Sequence, residues 1–154
     1  MGKLVQATEP QHLAAVRELF LEYARTVDEP CCFQDFEREL EALPGAYGPP
    51  GGRLLLAHAG DAAAGCVGLR RLDAASAEMK RLYVRPPWRG RGLGRGLAEA
   101  AIGAARELGC SRMLLDSLPG MGAAIALYRT LGFREIEPYL ARPTPGARCF
   151  ELKL

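Results

Sequence analysis

Apolar residues recur every three or four positions at Leu13, Val16, Leu19, Phe20 and Tyr23, the stripe of an amphipathic helix. Ahead of it, Leu4-Val5-Gln6-Ala7 reads as a short strand. Thr8-Glu9-Pro10-Gln11 then reads as a helix start, with Thr8 the N-cap, Pro10 in the first turn and Gln11 at capping-box spacing. Phe33, Phe36, Leu40 and Leu43 predict a second helix stopped by Pro44-Gly45. From Pro44 to Gly52 the chain holds three prolines and four glycines, a loop of the kind that borders binding mouths.

Two runs, Leu54 to His58 and Ala64 to Leu69, flank a turn at Gly60-Asp61 and predict a hairpin of central strands. A third strand runs from Ala77 to Val84 and ends at Pro86-Pro87. Leu93, Leu97, Ala101, Ala104 and Leu108 share one face of a helix closed by Gly109. Arg112 to Leu115 is a short buried strand, and Ala124, Leu127, Tyr128 and Leu131 form another helical stripe closed by Gly132. Phe133 to Ile136 and Cys149 to Leu154 pair as a terminal hairpin across a Pro/Gly-rich loop. The order β-α-α-β-β-β-α-β-α-β-β defines an α/β fold. Its mixed, mostly antiparallel sheet of about 6–7 strands is flanked by about four helices.

Composition adds constraints. The 154 residues suffice for one domain, 1–154, and their 49% apolar and 25% charged content is that of a soluble globular protein. A net charge of +2 does not by itself imply a nucleic-acid or membrane partner. Five cysteines (Cys31, Cys32, Cys66, Cys110, Cys149) form no C-x-x-C pair, and His12 and His58 lie far from most of them. No metal site and no disulfide framework are expected, and free thiols suit a cytoplasmic setting. No long apolar run opens the chain, so neither a signal peptide nor a membrane span is expected.

The densest chemistry is Arg89-Gly90-Arg91-Gly92-Leu93-Gly94-Arg95, between a strand and a helix. Glycines there expose backbone N–H groups to an anion, and the helix N-terminus adds partial positive charge. Arginine forks supply bidentate donors suited to a pyrophosphate. No Gly-Lys-Ser/Thr closes the run, and G-x-G-x-x-G fails in every register, so the ATP and NAD patterns drop out. The run does satisfy [Arg/Gln]-x-x-Gly-x-[Gly/Ala] as Arg89-x-x-Gly92-x-Gly94.

With Leu82-Tyr83-Val84-Arg85-Pro86 upstream and Ala124-x-x-Leu127-Tyr128-x-x-x-Gly132-Phe133 downstream, the chain resembles the GNAT (Gcn5-related N-acetyltransferase) superfamily, whose fold also agrees with the element order. The resemblance implies an enzyme that moves an acetyl group from acetyl-CoA to a primary amine in a ternary complex, without a metal. It assigns coenzyme contacts to Leu82, Tyr83, Val84, Arg89, Gly90, Arg91, Gly92, Leu93, Gly94 and Arg95. Leu82 would offer its N–H to the oxyanion at a bulge, and Leu82 and Val84 would bond the pantetheine arm like an added strand. Tyr128 would be the general acid toward the thiolate, although its place on the helical stripe equally suits a core aromatic.

Glu78, eleven positions before Arg89, is the candidate base, as a glutamate is in the histone-acetylating members. On a regular strand it shares a face with Lys80, Leu82 and Val84; the plainer expectation is that it pairs with Lys80 or Arg81. Met121 stands where members commonly carry Asn, with Ser117 a possible substitute.

Acceptor selection falls, by resemblance, to roughly Tyr23–Pro50 and Tyr139–Arg148. These mix Asp28, Glu29 and Asp35 with Phe33, Tyr47 and Tyr139, and with Arg142 and Arg148. No single charge dominates; a small-molecule amine or amino acid is favoured slightly over a protein, and either a monomer or a homodimer fits. Two other readings stand beside the enzyme: a coenzyme-binding sensor, and an RGG-like nucleic-acid patch with Trp88 available to stack.

Overall fold

The computed structural model describes residues 3–27, 36–118, 121–139 and 146–154. Seven strands and four helices follow in the expected order: β1 (Lys3–Gln6), α1 (Pro10–Arg25), α2 (Phe36–Glu41), β2 (Arg53–Ala59), β3 (Ala62–Arg71), β4 (Ser76–Val84), α3 (Leu93–Glu107), β5 (Arg112–Ser117), α4 (Gly122–Thr130), β6 (Arg134–Ile136) and β7 (Arg148–Lys153). The sheet order is β1-β2-β3-β4-β5-β7-β6. Every pairing is antiparallel except β4 with β5, which the α3 crossover makes parallel.

Each sheet face buries its own core. On one, Leu97, Ala98, Ala101 and Ala105 of α3 and Ile125 and Tyr128 of α4 pack on Met79, Met113, Leu115 and Phe150. On the other, Val16, Leu19 and Phe20 of α1 and Leu40 of α2 pack on Leu54, Leu56, Cys66 and Tyr83. The wide alanine face of α3 lets that helix lie close to the strands.

Three local expectations shift. The first helix is capped by Glu9, not Thr8. Glu9 is still extended (φ −90°, ψ 156°), so helical geometry begins at Pro10, whose fixed φ suits the first position. The Glu9 N–H donates to His12 Nδ1 at 3.4 Å, so His12 stands in the capping-box place given above to Gln11. The second helix ends at Glu41, three residues before Pro44, and Phe33 lies outside the described residues, as do Cys31 and Cys32. Finally, the Pro44–Gly52 loop is fastened to the sheet: the Tyr47 ring is buried against β3, and a Cβ on Gly68 would meet it at 2.8 Å. Only glycine fits beneath that ring.

Candidate active site

β4 carries an extra residue. Gly68 opposes Lys80 and Cys66 opposes Tyr83, so Val67 alone faces both Arg81 and Leu82. Arg81 absorbs the distortion at φ +61°, the one positive φ outside glycine among the described residues. The bulge overturns the expectation that Glu78, Lys80, Leu82 and Val84 share a face. Leu82 and Val84 pack toward the α3 side, whereas Glu78 meets residues of the opposite side. One inserted residue shifts the period-2 alternation for everything after it.

Beyond the bulge, β4 also parts from β5, since their pairing covers only Ser76–Glu78 against Arg112–Leu114. The Arg85 N–H bonds to Ala64 O across β3 at 2.8 Å. By strand alternation the Leu82 and Val84 N–H groups therefore point the other way, to the edge that β5 has left. The Tyr83 side chain turns toward α1, with its hydroxyl 3.4 Å from Glu22 and its ring 5.7 Å from that of Tyr23.

The glycine run follows this edge. Gly90 and Gly92 adopt left-handed φ of +78° and +81°, Gly92 as the N-cap of α3, and open space lies where a Cβ would stand on either. Glycine suits this left-handed conformation, and the backbone there stays open to approach by an anion. Gly94 lies against Val84 and Leu127. Arg89 is partly committed: its Nε donates to Val84 O at 2.8 Å and its guanidinium lies 5.7 Å from the Tyr83 ring. Arg95 is held by Thr130 and Glu99, and Arg91 is exposed. The cradle is therefore a good fit for a pyrophosphate, with Arg91 and Arg95 as its accessible cations.

Tyr128 is 7% exposed and packs edge-on against Phe133, 5.8 Å between ring centroids. Its hydroxyl has no hydrogen-bond partner among the described residues. Burial, with Tyr23 and Asp116 nearby, holds the phenol above its usual range and hence protonated. Met121 is the N-cap residue of α4, and its sulfur accepts from Tyr23 and Ser117, each at 3.7 Å. Ser117 is thus turned to Met121.

Glu78 is fully buried. Its Oε1 accepts from Arg70 Nε at 2.7 Å and its Oε2 from the Tyr139 hydroxyl at 2.6 Å. Neither Lys80 nor Arg81 is the partner. Arg81 instead reaches Glu39 of α2 through Nε and Nη2, both at 3.0 Å, with its guanidinium 5.4 Å from the Phe36 ring. Arg85 similarly ties the end of β4 to Glu22 of α1. Asp116 lies on β5 beyond its pairing with β4, and burial raises its pKa against the pull of Lys80. Arg70, Asp116 and Glu39 escaped the sequence reading. Arg70 was within reach, because it lies directly opposite Glu78 in the β3–β4 register. A hairpin extended to Arg71 would have shown it.

The left-handed glycine run beside a bulged, splayed strand is the arrangement that the family resemblance implies. Residues 13–133 match the family model described as the acetyltransferase (GNAT) family, and the chain belongs to that family. An uncharacterised N-acetyltransferase of Schizosaccharomyces pombe is 37% identical over 147 residues, spanning 94% of this chain and 90% of its own length. An acetyltransferase from Streptococcus agalactiae superposes with a TM-score of 0.80 at 22% identity, covering 99% and 98% of the two chains. The PaiA N-acetyltransferase of Thermoplasma acidophilum, solved with coenzyme A, gives 0.78 at 17% identity over 100% and 99%. The protein is an acyltransferase of the N-acetyltransferase class. Among the described residues, no helix is long and apolar enough to cross a membrane.

Proposed function

We propose that this chain transfers the acetyl group of acetyl-CoA to the primary amine of a small molecule or amino acid by direct attack in a ternary complex. One observation carries the reading. The β4 edge freed at Leu82 and Val84 leads within a few residues into the glycine run that opens α3.

In this reading Gly90 to Gly94 and the α3 N-terminus hold the pyrophosphate, with Arg91 and Arg95 adding charge. Leu82 and Val84 bond the pantetheine arm, and the Leu82 N–H faces the thioester oxygen, where negative charge develops. Tyr128 gives its proton to the departing thiolate. A thiolate forming in the same buried place is desolvated too, so its proton affinity rises alongside that of the phenol. Glu78 is the terminal acceptor of the amine's proton. Being fully covered, it acts through a group that touches it.

A thiol-release assay with acetyl-CoA over an amine panel tests the function. Turnover with at least one small amine is expected. Coenzyme binding without turnover would favour a sensor, and RNA binding without coenzyme binding would sink the reading. Within the assay, Tyr128→Phe is expected to slow transfer about 10²-fold while leaving coenzyme affinity nearly intact. An unchanged rate, with chemistry limiting, removes Tyr128 from the mechanism.

A further inference from the structure

The proposed base has no surface of its own. An amine cannot touch a carboxylate that is fully buried with both oxygens engaged, one by Arg70 and the other by Tyr139. Of these partners, Arg70 carries donors only and can accept no proton. Tyr139 differs: its hydroxyl donates to Glu78 Oε2 at 2.6 Å, and its oxygen keeps a lone pair for a second bond. The residue is only partly buried and follows β6, in the segment to which the family resemblance assigns acceptor selection.

The groups around it are Glu78 on β4, Arg70 on β3, Asp116 on β5 and Cys149 on β7. Burial and then the Glu78 carboxylate keep the phenol in its protonated form. Asp116 is also an electrostatic neighbour of Tyr128. The two tyrosines thus share Asp116 as a neighbour, Tyr139 among the polar groups and Tyr128 in the α3-side core.

We propose that Tyr139 is a proton relay between the acceptor amine and Glu78, an assignment that rests on the acetyl-transfer reading above. When the amine nitrogen bonds to the acetyl carbon it becomes cationic and acidic. One N–H proton passes to the Tyr139 oxygen as the phenolic proton passes to Glu78 Oε2. Tyr139 ends neutral and Glu78 protonated, so no free phenolate is formed. The thiolate takes the Tyr128 proton as the C–S bond breaks. Both residues then reset by proton exchange with solvent, Glu78 through Tyr139. Arg70 fixes the carboxylate so that Oε2 faces the phenol.

Rates in H2O and in D2O mixtures, under conditions where chemistry limits, test this with wild type, Tyr139→Phe, Glu78→Gln and the double variant. Each single variant is expected to lose about 10²-fold in kcat. Acetyl-CoA affinity should stay within about twofold by calorimetry, and the double variant should lose no more than either single, since the two groups act in series. The wild type should show two protons in flight at the relay, and Tyr139→Phe should lose that signature. A full rate in Tyr139→Phe would overturn the relay alone. So would multiplying losses in the double variant, or an acid limb of the pH–rate profile that disappears in Asp116→Asn and survives in Glu78→Gln. Absence of wild-type turnover with every amine, despite bound acetyl-CoA, would remove the transfer reading and the relay together.

Discussion

The two sides of β4 are built by different means. On the side proposed for the coenzyme, the features that would recognise the donor are backbone: N–H groups left by a bulge, and glycines at left-handed φ ahead of a helix. They come from a short stretch, Leu82 to Arg95, and work because side chains are missing. On the side proposed for the acceptor, side chains meet from distant segments. Arg70, Glu78 and Tyr139 join β3, β4 and the segment after β6, while Glu39 and Glu22 reach in from α2 and α1. A site made of backbone is set by local geometry and tolerates little variation. A site made of side chains can be changed at one residue, which suits a fold whose members share a donor and differ in acceptor.

Removing side chains should therefore damage the acceptor side most, and adding them the donor side. The largest expected effect is Glu78→Ala, which strands the Arg70 guanidinium and the Tyr139 hydroxyl. Unfolding free energy should fall by about 3 kcal/mol in urea titrations. A loss below 1 kcal/mol would show that the buried cluster contributes no more than a surface pair. Next, Gly92→Val should leave overall stability less affected but weaken acetyl-CoA binding about tenfold or more by calorimetry. A β-branched residue at φ +81° resists by about 1–2 kcal/mol, so the turn that opens α3 would have to shift. Unaltered affinity would mean that the coenzyme phosphates lie elsewhere.

The smallest effect sharpens the link between the sides. Arg81 holds a strained φ of +61° at the bulge, and its side chain is clamped by Glu39. Glycine relieves the strain and alanine does not. Arg81→Gly should thus be more stable than Arg81→Ala by about 1 kcal/mol in thermal or chemical unfolding. Equal stability would show that the bulge is not strained.

The legibility of the molecule follows the same division. Helical stripes, turn residues and the glycine run are local signals, so the element order and the donor cradle could be read along the chain. The hairpin register was also readable in principle, yet stopping the β3 pattern at Leu69 hid Arg70 opposite Glu78. Alternation misled after Lys80, because a bulge at an arginine has no compositional mark. Asp116 was invisible for another reason: a carboxylate on a short strand means little until the pairing of β4 with β5 stops short of it.

What the sequence by itself determined is the family and the glycine turn that opens α3. Those rest on near-neighbour geometry, where a glycine's missing Cβ and a helix start have the same consequence in any fold. Only the tertiary structure decided the face on which Glu78 lies, its partners Arg70 and Tyr139, and the clamping of the bulge by Glu39. These contacts join residues 8, 61 and 42 positions apart. Beyond the hairpin pair, no periodicity specifies which side chains meet across such separations. Packing settles that, one inserted residue in β4 having turned the strand over.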